Sequence, residues 1–253
     1  GGVAGGAAKT TTTSTPAGPT SSRPAPPSVA GRPVRFAGPS GELQAVVAQP
    51  AQPRAAVLVI HENRGLTPHF VELVGRLAGE GYAALCVDLL SPEGGTAGLT
   101  DPAEAPAALG AAPLDRLLGD LRAGLDELAR RVPGAKLGAV GFCFGGGMAW
   151  NLLDAGESRL AAAVPFYGPA PDDADFSGAK AAVLGVYAEL DSRVNASRDR
   201  AEAALQSAGL THEIRTFAGA DHAFFNDTGP RYNAAAAADA YAALLAWFAT
   251  YLR

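Results

Sequence analysis

The segment Gly141-Phe142-Cys143-Phe144-Gly145 places one thiol between two glycines. An apolar run over Lys136 to Val140 leads into it, and a helix-compatible stretch, Met148 to Leu153, leads out. This is the Gly-x-Cys-x-Gly form of the nucleophile elbow, with cysteine where serine is usual. A sharp strand-to-helix turn strains the backbone of its central residue, and Cβ atoms two positions to either side would strike neighbouring backbone. The turn lifts one side chain above a sheet edge at the start of a helix. There the dipole and free N–H groups favour a thiolate and a developing oxyanion. Taken alone, the same stretch also fits a glycine-rich turn around a buried, inert cysteine.

A nucleophile needs a base, and the base needs an orienting acid. In a doubly wound sheet the active site lies at the carboxyl ends of the strands. The reactive side chains just after the expected strands are His61-Glu62-Asn63-Arg64, Asp88, Cys143, Tyr167, Asp191 and His222. Cys143, Asp191 and His222 run in the order nucleophile, acid, histidine, which is the α/β-hydrolase order. Cys143 is the expected attacking thiolate. His222 takes its proton and returns it to the leaving alcohol, while Asp191 fixes the imidazole tautomer. Asp221 and Glu189 are rival acids whose placement suits a solvated loop better. The backbone N–H of Phe144 is the first expected oxyanion donor and that of Asn63 the second.

The elements that must position these groups follow from apolar spacing. Val34–Phe36 and Leu43–Ala48, split by Pro39-Ser40-Gly41, predict an edge hairpin. Ala55–Ile60 and Tyr82–Val87 are continuous apolar runs, as strands buried on both faces require. Phe70, Val71, Val74, Leu77 and Ala78 fall at helical spacing, as do the leucines from Leu114 to Leu128, ended by Pro133-Gly134. Further strands are expected at Leu160–Phe166, Ala181–Tyr187 and His212–Phe217, and helices near Asn195–Ser207 and Ala234–Leu252. Ser91 to Pro113 reads as a long connection across the top of the sheet, the expected seat of substrate specificity. Strands alternating with helices predict an α/β fold, a doubly wound, mostly parallel sheet with helices on both faces.

Composition narrows the partners. The chain has 253 residues, 48% hydrophobic and 18% charged, with a net charge of −5 and no Lys/Arg-rich run. Nucleic acid and anionic membrane are therefore not expected, and no apolar run approaches the ~18 residues of a membrane span. Cys86, inside an apolar run, is expected to pack as a small hydrophobe; a disulfide to Cys143 would block the elbow thiol. Neither cysteine has a metal-ligand spacing, so no metal is expected. Residues 1–30 are nearly all Gly, Ala, Thr, Ser and Pro and read as a disordered tether before a catalytic domain over 31–253. Their Gly/Ala-rich start suggests the tail of an export signal and an exported protein, the alternatives being a cloning remnant or a cytoplasmic tail. A monomer is expected.

Phe142-Cys143-Phe144-Gly145-Gly146, Ile60-His61-Glu62-Asn63-Arg64-Gly65, Phe166-Tyr167-Gly168, Asp191 and Gly219-Ala220-Asp221-His222-Ala223-Phe224 together resemble the dienelactone hydrolase family (carboxymethylenebutenolidases). The resemblance runs from about residue 34 to the end of the chain. It implies the α/β-hydrolase fold, a Cys143–His222–Asp191 triad, and hydrolysis of a small ester or lactone without cofactor. It also implies that Glu62 helps generate the thiolate when substrate binds, and it makes Arg64, Tyr167 and Phe224 candidate substrate contacts. The family's type enzyme clamps a substrate carboxylate with two arginines. Here the loop after Val87 has no arginine before Arg116, and the second position is Asn226. The departure therefore points to a less charged ester or lactone than dienelactone itself; Arg64, Arg193 and Arg231 are the candidates for a different clamp, each equally readable as a surface or structural arginine. An acyl transferase with the same triad and a non-catalytic thiol sensor are the alternative readings.

Overall fold

The computed structural model describes residues 28–253. Eight strands form one sheet: β1 (Arg32–Gly38), β2 (Gly41–Ala48), β3 (Ala55–Ile60), β4 (Tyr82–Val87), β5 (Leu137–Phe142), β6 (Leu160–Phe166), β7 (Ala182–Ala188) and β8 (His212–Phe217). Their order is β1-β2-β4-β3-β5-β6-β7-β8. The β1–β2 hairpin and the β2–β4 pair are antiparallel, and every other pair is parallel. All six residues of β3, β4 and β5 are buried, as continuous apolar strands covered on both faces must be.

The helices divide by face. Alternate strand residues Val57, Val59, Ala84, Cys86 and Val140 pack with α1 (Pro68–Gly79) and α7 (Ala234–Tyr251). The intervening residues Leu58, Ile60, Leu85 and Ala139 pack with α2 (Ala105–Ala111), α3 (Leu114–Arg131) and α4 (Phe144–Asp154). Period-two alternation along each strand thus feeds two separate cores. This is the doubly wound α/β-hydrolase architecture.

Two expectations need correction. The single helix expected near Asn195–Ser207 is two: α5 (Ser192–Asn195) and α6 (Arg198–Ser207). The Ser197 hydroxyl donates to the Val194 carbonyl at 2.7 Å and stabilises the break. The connection after β4 is not an open loop but carries three short 3-10 turns and α2. Asp88 organises its start, accepting from the N–H groups of Leu90 (3.0 Å) and Thr96 (2.7 Å). The tether expected over residues 1–30 lies outside the described residues except for its last three positions. There the Val29 N–H donates to the Gly75 carbonyl at 3.1 Å, so the chain is already docked on α1.

Candidate active site

The elbow forms where the parallel sheet delivers β5 into α4. Cys143 has φ 57° and ψ −114°, a left-handed backbone uncommon for a residue with a side chain. The glycines are demanded by contact: a Cβ on Gly141 would lie 1.9 Å from the Gly145 carbonyl oxygen, and one on Gly145 2.2 Å from that of Ile60. Among the described residues, the only other non-glycines with positive φ are Tyr167 (34°) and Ala223 (65°). These follow β6 and β8, so the three strained residues flank one site.

Three loops bring the reactive groups together. His222 Nε2 lies 2.9 Å from Cys143 Sγ, and its Nδ1 lies 2.5 Å from Asp191 Oδ2. A carboxylate can only accept, so Nδ1 carries the proton and Nε2 accepts from the thiol. The second Asp191 oxygen takes the Val194 N–H at 3.3 Å, which fixes the carboxylate from behind. Of the rival acids, Asp221 accepts the backbone N–H of His222 at 2.7 Å rather than its ring, and Glu189 is exposed.

Burial pushes the Cys143 thiol up to about 11, and the neighbouring Glu62 charge pushes in the same direction. The Phe144 N–H, near the sulfur, and the Arg193 charge pull the other way. At neutral pH the resting sulfur is therefore a protonated thiol, which must lose its proton before it can attack. Glu62 is itself raised by burial, against the lowering influence of Asn226, Arg231 and Arg64. Its Oε2 accepts from Asn226 Nδ2 at 3.3 Å, while the buried Oε1 has no partner. Behind it, His61 is wholly buried and held neutral by desolvation. Its Nδ1–H donates to the Glu62 carbonyl at 2.7 Å, and its Nε2 accepts the Leu89 N–H at 3.0 Å. His61 is thus a brace for the Glu62 turn.

These groups open into a cleft of about 850 Å³ over the carboxyl ends of β3, β5, β7 and β8. Its walls are Glu62-Asn63-Arg64, Cys143, Leu190–Arg193 and positions between Asp221 and Arg231. Of the residues expected to contact substrate, Arg64 lines it. Tyr167 and Phe224 do not: both are wholly buried, and Tyr167 packs edge-on against the His222 ring and against Phe224. The connection from Ser91 to Pro113 contributes nothing to the cleft either. Leu89, Leu90, Ala105 and Leu109 are buried in the core that also holds the leucines of α3. The segments after β7 and β8 take the connection's place at the rim. Arg193 and Arg231 also line the cleft, while Asn226 as the partner of Glu62 is the residue the sequence reading missed; its place just beyond a strand end was the available signal. Among the described residues, no helix is long and apolar enough to cross a membrane, and no three His, Cys, Asp or Glu side chains cluster as a metal site.

Residues 43–252 match the sequence profile of the dienelactone hydrolase family. A protein of Escherichia coli, provisionally assigned as a carboxymethylenebutenolidase, is 32% identical over 225 residues, covering 83% of each chain. A Methylorubrum extorquens protein with the same provisional assignment is 31% identical over 227 residues, 83% of this chain and 78% of its own. Among solved structures, a dienelactone hydrolase-like promiscuous phosphotriesterase from metagenomic libraries superposes with a TM-score of 0.77 at 25% identity, covering 89% of this chain and 100% of that one. The dienelactone hydrolase of Anabaena variabilis shares the fold, with a TM-score of 0.71 at 21% identity over 88% and 98% of the two chains.

Proposed function

Because this chain belongs to the dienelactone hydrolase family, we propose that it hydrolyses a small carboxylic ester or lactone through Cys143, His222 and Asp191. The observation that carries the reading is the unbroken chain of contacts from Sγ through the imidazole to the Asp191 carboxylate, at 2.9 and 2.5 Å. In this mechanism the thiol proton passes to His222 Nε2 and the thiolate adds to the substrate carbonyl carbon. The oxyanion that forms faces the backbone N–H groups of Phe144 and Asn63. Collapse breaks the ester C–O bond, and the departing alkoxide takes the proton from the imidazolium. A water molecule deprotonated by His222 then adds to the thioester, releasing the acid and restoring the thiol.

Glu62 has the second role. Its charge adds to the burial that keeps the resting thiol protonated, and its own burial-raised basicity equips it to help remove that proton once substrate occupies the cleft. The test is a panel of p-nitrophenyl esters and small lactones, assayed with the wild type beside Cys143→Ser and Glu62→Gln. Turnover that iodoacetamide abolishes supports the reading. Full activity in Cys143→Ala refutes it.

A further inference from the structure

Glu62 stands between two spaces: the cleft that holds Cys143 and a smaller pocket of about 290 Å³ beside the start of α1. With room on both sides, packing does not decide where its carboxylate lies. Hydrogen bonds must, and among the described residues its one hydrogen-bond partner is Asn226. The Asn226 amide is itself oriented. Its Oδ1 accepts the Thr228 N–H at 2.9 Å and the Thr228 hydroxyl at 2.6 Å, which leaves Nδ2 turned to Glu62. The loop that carries this amide is loosely attached, since none of residues 226–233 is buried. Over residues 226–232, two hydrogen bonds among the described residues reach another element: Asn226 to Glu62, and Asp227 to His69.

His69 lies in the first turn of α1, 5% exposed, with its ring edge-on to Phe70 and Phe225. Burial lowers its basicity against the carboxylates of Asp227 and Glu72, and Arg76 pushes the same way as burial, so the ring is neutral at physiological pH. A carboxylate only accepts, so Nδ1 carries the proton and donates to Asp227 Oδ1 at 3.3 Å. Nε2 is then a buried acceptor with no partner among the described residues. A phenylalanine here would avoid that orphan; what the histidine adds is its hold on Asp227. We infer that His69 is a positioning residue for Glu62: its Nδ1–H fixes Asp227, the adjacent Asn226 amide is thereby held against Oε2, and the carboxylate stays beside the Cys143 thiol. The inference rests on the reading of Glu62 as the group that helps hold the thiol protonated and then helps remove its proton. Neither His69 nor Asp227 lines the cleft, so both act through Glu62 and not on substrate.

Two variants test it. His69→Phe keeps the aromatic packing and removes the donor; Asp227→Ala removes the acceptor from a half-exposed side chain and leaves the core untouched. Both are read by the pH midpoint of Cys143 alkylation with iodoacetamide and by p-nitrophenyl acetate kinetics. Each is expected to lower the midpoint, in the direction of Glu62→Gln and by less, because the Glu62 charge no longer stays beside the sulfur. The kcat value is expected to fall by about three- to tenfold with KM unchanged. In the Glu62→Gln background neither substitution moves kcat or the midpoint further, since no charged base remains to be positioned. A wild-type midpoint in both variants, or the same fall in kcat with and without Glu62, overturns the proposal. Solvent exchange of the Asn226 side-chain amide protons, assigned by their absence from Asn226→Ala, separates the two layers. If Glu62→Gln itself leaves kcat and the midpoint at wild-type values, the role given to Glu62 fails alone; the hold on Asn226 then survives only if that exchange quickens in His69→Phe and Asp227→Ala. Exchange unchanged in both variants overturns the hold. Midpoint and exchange need no turnover, so both stay readable if the hydrolase reading fails.

Discussion

Cys86, in β4, and Cys143, at the end of β5, belong to the same sheet with the single strand β3 between them. Val59 of β3 pairs with Cys86 on one side and with Val140 on the other, so Cys143 stands only three residues further along the strand direction. Both thiols are raised above their ordinary value, and in both burial is the larger cause. Cys86 ends there: it is wholly buried inside β4, its sulfur 3.9 Å from the Val87 carbonyl, bonded to no imidazole among the described residues and outside the cleft. Cys143 has passed the end of β5 and turned into the left-handed region. That brings its sulfur to an imidazole, near a carboxylate and a backbone N–H, at the wall of a cleft. Reactivity here is a matter of position along the strand and of the elbow geometry, because the surrounding apolar chemistry is shared.

The largest effects should come from breaking the Cys143 side of this contrast. Cys143→Ala and His222→Ala are each expected to lower kcat by roughly 10⁵-fold, and Asp191→Ala by roughly 10⁴-fold, in a p-nitrophenyl ester assay. Glu62→Gln should sharpen it with two opposite movements. Turnover falls by roughly 10²-fold as a base is lost. Removal of the like charge lets the thiol ionise more easily, so the pH midpoint of iodoacetamide alkylation drops below about 11. Alkylation rises as pH passes upward through that midpoint, because only the thiolate reacts.

The smallest effect belongs to Cys86. Cys86→Ala should leave kcat/KM unchanged and cost about 1 kcal/mol of stability in urea unfolding, from the small cavity it opens. Iodoacetamide at alkaline pH, where the native fold persists, should label Cys143 and reach Cys86 only after unfolding, as peptide mapping would record. Equal labelling of the two in the native state would collapse the comparison.

Much of this contrast was legible in the amino-acid order. Gly141 and Gly145 are required by backbone contacts of about two ångström, and such requirements appear directly as residue type. Continuous apolar runs revealed β3, β4 and β5 because both of their faces are covered. The order Cys143, Asp191, His222 followed from strand ends, which parallel topology gathers at one edge. The cleft walls were harder to read. Ser91–Pro113 has a loop's composition, but whether it rises over the site or anchors in the core away from it depends on where Leu89, Leu90 and Leu109 bury. Tyr167 and Phe224 sit in site motifs yet pack beneath His222, because which face a side chain takes in an irregular turn has no period to betray it. Asn226 as the Glu62 partner bridges 164 positions of sequence, a pairing set by tertiary contact alone.

The central claim is that the Cys143 sulfur forms the acyl bond. Rapid quenching of the wild type with p-nitrophenyl acetate, followed by mass spectrometry of the digested protein, tests it directly. The account predicts one acetyl group, carried on the peptide containing Cys143, absent from Cys143→Ala and lost as acetate is released. Acetyl on another residue, or sustained turnover by Cys143→Ala with no adduct in the wild type, would contradict it.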